Sequence, residues 1–215
     1  MSSFSGFYEA KYIFPMSTVG AQEPGSFKVI LVGSSGVGKT SLIRVFFGTA
    51  FENQESSTVA PASFITSINL AGEKINLHIW DTAGQECYQS LSRTFYRNSN
   101  VALVCYDTQR EDTIEMWISR VREQVPDCKI LLVTTKVDML TQDQQIDCVA
   151  RGNQHVTEFN CSTHSMTSAS SGYGVREIFY EAAKVCSSLE KPKNEEQTVN
   201  LENKENNNEE KKSCC

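Results

Sequence analysis

The chain has 215 residues, enough for one domain with tails, and 40% of them are hydrophobic against 21% charged, which excludes a chain disordered throughout. Lys plus Arg number 20 and Asp plus Glu 26, a formal charge of -6 and a poor balance for general nucleic-acid binding. The eight cysteines lie in apolar stretches, apart from a terminal pair. They form neither a disulfide framework nor a C-x-x-C metal pattern, and so point to a reducing compartment. No apolar run approaches the roughly 18 residues of a membrane helix. The first 25 residues lack the basic start and apolar block of a secretory signal.

In chain order, residues 1–25 are rich in Ser, Gly, Phe and Tyr without a clear period, and read as a flexible extension. Met16, 11 residues before Phe27, offers a second plausible start, so Met1–Pro15 reads either as a disordered leader or as a segment absent from the native protein. Phe27–Val32 reads as a buried strand and Lys39–Phe47 as a helix. Phe64–Leu70 and Ile75–Trp80 read as paired strands around a turn at Ala71-Gly72, with Ile75, Leu77 and Ile79 alternating with polar residues. Val101–Tyr106 is a further strand. Ile114, Trp117, Ile118, Val121 and Val125 follow at helical spacing. Lys129–Thr134 is a strand, Ile146–Phe159 a weaker helix, and Met166–Ser168 a short strand. A last helix carries the stripe Val175, Ile178, Phe179, Ala182 and Cys186. The alternation implies one α/β domain over 26–189, with a mostly parallel sheet covered on both faces and a ligand site beyond the carboxyl ends of its strands. From Glu190 the chain is Glu, Asn and Lys with almost nothing apolar, so 190–215 reads as a disordered tail.

The strongest motif closes the first strand of that domain. Gly33-Ser34-Ser35-Gly36-Val37-Gly38-Lys39-Thr40 satisfies G-x-x-x-x-G-K-[ST] in full. Small residues let backbone N–H groups wrap phosphates, and the following helix aims its positive end at the same anion. Lys39 would reach the β- and γ-phosphates, and the Thr40 hydroxyl would ligate Mg²⁺. This motif alone does not choose between ATP and GTP. A second motif, Trp80-Asp81-Thr82-Ala83-Gly84-Gln85, ends the strand Ile75–Trp80. Asp81 could hold Mg²⁺ through water opposite Thr40, Gly84 could offer its N–H to a γ-phosphate, and Gln85 could orient the attacking water.

Gly33–Ser41 together with Asp81–Glu86 resembles the Ras-like small GTPases. The Rab branch is most similar, through Leu77-x-Ile79-Trp80-Asp81-Thr82-Ala83-Gly84-Gln85-Glu86, Phe95-Tyr96-Arg97, Leu103-Val104-Cys105-Tyr106-Asp107-Thr108 and the terminal Cys214-Cys215. The resemblance covers roughly Phe27 to Leu189. It implies the P-loop small-GTPase fold, a mostly parallel six-stranded sheet with helices on both faces. It also implies GTP or GDP as bound nucleotide, Mg²⁺ as cofactor, and slow intrinsic hydrolysis that an activating protein stimulates.

The same resemblance implies a base site. The family's N-K-x-D motif corresponds to Thr135-Lys136-Val137-Asp138. Asp138 would accept two hydrogen bonds from guanine N1 and N2, a donor pair that adenine lacks. The Lys136 stem would pack along the base. Thr135 stands in place of Asn, as it does in Rho-type relatives. The family's S-A-K segment corresponds to Ser168-Ala169-Ser170, with the Ala169 N–H on the guanine oxygen and Ser170 in place of Lys. Two departures, each of about 1 kcal/mol, would together speed nucleotide release about thirtyfold, unless the Thr135 hydroxyl compensates. The first switch loop runs from Phe51 to Phe64. Phe51 would meet the guanine edge, and Thr58 would bind Mg²⁺ and the γ-phosphate. The stretch Val59–Phe64 is one residue longer than the common Rab pattern. Phe64, Trp80 and Phe95 correspond to an aromatic trio presented to effectors, with core packing as the competing role.

Cys214-Cys215 resembles a double geranylgeranylation signal, and two lipid chains anchor stably where one does not. With five Lys and seven Glu from Leu189 on, the tail is not polybasic and gains little from anionic lipid. As a coil it spans on the order of 28 Å. The resemblance thus implies a trafficking switch on the cytoplasmic face of an intracellular membrane, cycling with cytosol. It implies a Rab-type exchange factor, activating protein, dissociation inhibitor and prenyltransferase escort, with effectors at the switch loops. Three alternatives stand beside it. These are a GTP-binding scaffold with little hydrolysis, a Rho-like signalling GTPase favoured by Thr135, and a P-loop ATPase or kinase disfavoured by Asp138.

Overall fold

A computed structural model of the protein describes residues 10–12, 25–53, 62–81 and 95–190. Its centre is β2 (Phe27–Val32), whose six residues are all buried. A run that is apolar but for Lys28 suits a central strand covered on both faces. Parallel neighbours flank it, β4 (Glu73–Asp81) on one side and β5 (Val101–Tyr106) on the other. Beyond β5 follow β6 (Lys129–Thr134) and β7 (Thr163–Met166), both parallel. Beyond β4 lies β3 (Ala62–Leu70), antiparallel, joined by the tight turn at Ala71 and Gly72. Both turn residues have positive φ, 50° and 94°, the conformation a two-residue hairpin loop requires, and Asn69 Oδ1 accepts from the Gly72 N–H at 2.9 Å. These six strands form the expected mostly parallel sheet.

A seventh strand extends it. β1 (Ala10–Tyr12) pairs antiparallel with β3, Ala10 opposite Thr66 and Tyr12 opposite Phe64, giving the order β1-β3-β4-β2-β5-β6-β7. The sequence pattern places no element in residues 1–25. Three residues are too few to show a period, whereas an open β3 edge offers them unpaired backbone groups.

Helices cover both faces. α1 (Lys39–Phe46) and α4 (Val175–Ser187) pack one layer, where Leu42, Ile43, Ile178 and Phe179 meet Ile75, Leu77 and Ile79. α2 (Ile114–Gln124) packs the other, where Ile114, Trp117, Ile118 and Val121 meet Ile30, Trp80 and Tyr106. α3 (Gln142–Glu158) begins four residues before its expected start at Ile146. A capping box explains this: the Thr141 hydroxyl accepts from the Gln144 N–H, and the Gln144 side chain accepts from the Thr141 N–H. β7 lies at Thr163–Met166, earlier than the expected 166–168. Its half-buried edge position gives no clean alternation. Its earlier end frees Ser168–Ser170 for a loop at the carboxyl edge of the sheet.

Candidate nucleotide site

The carboxyl ends of the parallel strands β2, β4, β6 and β7 lie along one edge of the sheet, where Asp81 ends β4 and loops follow β2, β6 and β7. The first is the glycine-rich loop. Gly33 has φ 141°, and a Cβ there would stand 2.0 Å from the Cys105 carbonyl oxygen, so only glycine lets this loop sit directly on β5. A Cβ at Gly36 or Gly38 would meet nothing within 4 Å. The rim of the loop therefore borders open space, with Val37 buried beneath it. Lys39, only 5% exposed, folds its ammonium back onto the loop and donates to the Gly33 and Ser34 carbonyls at 2.6 and 2.9 Å. Ser35, within the loop, and Ser41, in the first turn of α1, are half-buried.

Thr40, at the start of α1, donates its hydroxyl to Asp81 Oδ2 at 2.7 Å, across the end of β4. The hydroxyl and carboxylate expected to share one metal therefore stand together. Both are hard oxygen donors, the type Mg²⁺ takes alongside water and phosphate oxygens. No group of three or more His, Cys, Asp or Glu side chains that could hold a metal occurs among the described residues. Two protein oxygens plus a nucleotide's phosphates suit Mg²⁺ without such a group.

The expected base loops also converge. Thr135 is buried, with its hydroxyl 2.6 Å from the Val37 carbonyl and 3.0 Å from that of Tyr106. The Thr135 N–H already serves Tyr106 at 2.8 Å, so the single hydroxyl proton is best spent on Val37. This contact is the compensation left open for the Thr135 hydroxyl, because it ties the base loop to the phosphate loop. Lys136 has φ 57° and holds Asp107 Oδ2 at 2.8 Å, a half-exposed pair of modest strength. Asp138 is exposed in a short 3-10 turn, Val137–Met139. The Val137 N–H donates to the Thr167 carbonyl at 3.2 Å, joining this loop to the one after β7. There Ser168 is fully buried. Its N–H donates to the Tyr173 carbonyl and its Oγ accepts from the Ser171 N–H, so its side chain shapes the turn. Ala169 is half-buried and Ser170 exposed. Phe51, 36% exposed, stands at the start of the first switch loop, of which residues 51–53 and 62–64 are described.

Thr58, Gly84, Gln85, Cys214 and Cys215 lie outside the described residues. The expected effector trio does not form one surface. Phe64, Trp80 and Phe95 are 4%, 2% and 4% exposed. Trp80 meets Phe95 edge-on at 5.8 Å in the α2 layer, whereas Phe64 stacks on Phe47 at 5.1 Å in the α1 layer. Hairpin register explains the split: Phe64 pairs with Ile79, and Ser63 is the residue opposite Trp80. Sequence reading also missed the partners outside the motifs. Arg110 donates to the Ser35 carbonyl, and Trp117 Nε1 lies 3.3 Å from Ser34 Oγ.

The Ras family profile matches residues 28–188. The chain belongs to the Ras family. It is 34% identical over 164 residues to the Ras-related protein Rab-21 of Mus musculus, covering 74% of this chain and 72% of that one. It is also 34% identical over 202 residues to the GTP-binding protein RHO1 of Saccharomyces cerevisiae, covering 87% and 93%. The putative ras-related protein Rab-5B of Dictyostelium discoideum is 34% identical over 163 residues, 72% of each chain. As a Ras-like small GTPase similar to Rab proteins, it belongs to a family of GTP- and GDP-binding switches that meet regulators and effectors.

Proposed function

We propose that this Ras-family member is a Rab-like regulator of vesicle trafficking that binds GTP with Mg²⁺ and slowly hydrolyses it to GDP. The observation that carries the reading is the Thr40–Asp81 contact beside the glycine-rich loop, a hydroxyl and a carboxylate placed to share one hard cation. When bound, Mg²⁺ would neutralise phosphate charge between them. Backbone N–H groups of Ser35 through Ser41 would hold the phosphates, and Lys39 would trade the Gly33 and Ser34 carbonyls for phosphate oxygens. Asp138, exposed beside the loop that Thr135 secures, would read guanine with Lys136, while the Ala169 N–H meets the base oxygen. Ser168 and Ser170 would shape that second base loop, and Phe51 would border the base.

By their match to the family, Thr58 and Gly84 would contact the γ-phosphate, and Gln85 would orient the attacking water as the catalytic residue. Residues 26–189 form the GTPase domain in this reading, and 190–215 a tether lipidated at Cys214 and Cys215. No helix among the described residues is long and apolar enough to cross a membrane, and the terminal lipids would supply the anchor on a cytoplasmic membrane face. Exchange factor, activating protein, dissociation inhibitor and prenyltransferase escort of Rab type are the partners. Effectors would meet the switch loops, with Trp80 and Phe95 packed beneath that surface.

Purified protein tests the chemistry. Labelled GTP should bind with Mg²⁺ and resist ATP competition, and single-turnover hydrolysis should slow in Gln85→Leu. Equal competition by ATP, or a Gln85→Leu rate equal to wild type, would sink the respective step. Imaging tests the role: a tagged chain should mark an internal membrane and become soluble when both terminal cysteines are Ser. The RHO1 match and Thr135 favour a second reading, a Rho-like signalling GTPase. A tagged chain spread over the plasma membrane, on no vesicular compartment, would favour it.

A further inference from the structure

We propose that Arg110 is a positioning residue for the phosphate loop, clasping it from outside and anchored through Glu111 to α3. This rests on the nucleotide-binding reading above and adds a part that the sequence motifs do not contain.

The loop Gly33–Gly38 is held on two sides. Inside, Lys39 donates to the Gly33 and Ser34 carbonyls. Outside, Arg110 Nη1 donates to the Ser35 carbonyl, and Trp117 Nε1 reaches Ser34 Oγ at 3.3 Å. The Arg120 guanidinium lies 4.9 Å from the Trp117 ring and covers it. Arg110 and Trp117 thus bring the start of α2 and the turn before it against two successive loop residues. A guanidinium on a carbonyl makes a charge-assisted bond, stronger than a neutral one.

Arg110 is exposed, and a long exposed side chain holds a geometry only when its backbone is fixed. The next residue fixes it. Glu111 opens the 3-10 turn Glu111–Thr113, and its carboxylate receives Arg151 Nε on both oxygens at 3.1 Å. His155 Nε2 lies 3.1 Å from the same carboxylate, and His155 stacks on Phe159. The Arg110 N–H closes the turn onto the Asp107 carbonyl at 2.9 Å, and the Thr113 hydroxyl bonds the Arg110 carbonyl at 2.7 Å. One short segment therefore grips α3 with Glu111 and the phosphate loop with Arg110.

The consequence is preorganisation. When bound nucleotide departs, Lys39 satisfies loop carbonyls from within while Arg110 keeps the loop wrapped from without. The loop then loses less freedom on rebinding. Arg110→Ala should speed GDP release about three- to tenfold, the effect of one partly exposed charge-assisted bond. Arg110→Lys should recover part of the loss, and Arg151→Ala should reproduce a smaller share of it by freeing Glu111.

The test pairs two readouts on the full chain, fluorescent-GDP dissociation at fixed Mg²⁺ and amide exchange over residues 33–40. In the clasp arrangement, Arg110→Ala raises both, with the melting temperature nearly unchanged. Dissociation and loop exchange equal to wild type would overturn the proposal, and so would a lowered melting temperature with no change in either. If wild type fails to bind guanine nucleotide, the functional reading falls. The exchange comparison then still decides whether Arg110 holds the loop.

Discussion

The Thr135 hydroxyl lies 2.6 Å from the Val37 carbonyl, joining two loops that stand 98 residues apart in sequence. The replacement of Asn by Thr therefore keeps a link between base loop and phosphate loop. Thr135→Val preserves shape and removes the link. It should speed fluorescent-GDP release about fivefold, whereas Thr135→Asn should stay within about twofold of wild type. Ser170 is the departure without such compensation, since it is exposed and too short to lie along a base as a lysine stem would. Ser170→Lys should slow release, and the same dissociation assay reads all three variants.

Asp138 stands exposed at the base loop, open to a planar pair of donors. Asp138→Asn should weaken GTP binding by at least about a hundredfold, two charge-assisted bonds being lost together. Xanthine nucleotide should gain, because an amide donor suits its extra carbonyl. Competition titration with GTP and XTP reads both changes, and unaltered GTP affinity would remove Asp138 from the base site.

Thr40 and Asp81 share a hydroxyl and a carboxylate oxygen at 2.7 Å. Thr40→Asn replaces that hydroxyl with a bulkier amide. The Mg²⁺ concentration needed for half-maximal GTP binding should rise about tenfold or more. A magnesium titration at fixed nucleotide is the measurement.

Two histidines, His78 buried and His164 half-buried, set an acid limit. Burial lowers His78 from its ordinary 6.5 to about 4, with the neighbouring Lys28 charge adding to the effect. Burial lowers His164 to about 4 as well, reinforced by His155. Both are neutral in the fold and take protons more readily when unfolded. Between pH 6.5 and 4 the unfolded chain binds the extra protons, so stability is full above that window and falls as pH drops through it. Melting temperature followed across the window should decline, and His78→Leu should flatten the decline. An equal slope in that variant would show that His78 is not part of the limit.

The parallel core was legible because its strands are short, mostly apolar runs: Phe27–Val32, Val101–Tyr106 and Lys129–Thr134 fall where the sequence placed them. The phosphate loop, Thr40 and Asp81 were legible because their chemistry needs fixed residue types at fixed offsets. The side of the sheet that Phe64 faces was not read. It depends on parity counted from the Ala71-Gly72 turn, which sets Leu70 opposite Glu73 and hence Ser63 opposite Trp80. That count lay in the sequence, and the motif match overrode it. The start of α3 was likewise signalled, by Thr141 and Gln144 three residues apart, but only Cys148 and Gly152 of that helix are buried, so its apolar stripe was faint. Arg110 carried no signal, because nothing in a motif marks which distant residue meets a loop carbonyl.

The pairing of Ala10–Tyr12 with Phe64–Thr66 bears on where the chain can be cut. A version shortened to begin at Met16 would leave that stretch of β3 as a bare border beside the first switch loop, ready to zip onto another molecule. Removal of residues 1–15 for expression or crystallisation therefore trades a shorter terminus for self-association at that edge. Tags are better attached ahead of these residues than put in their place.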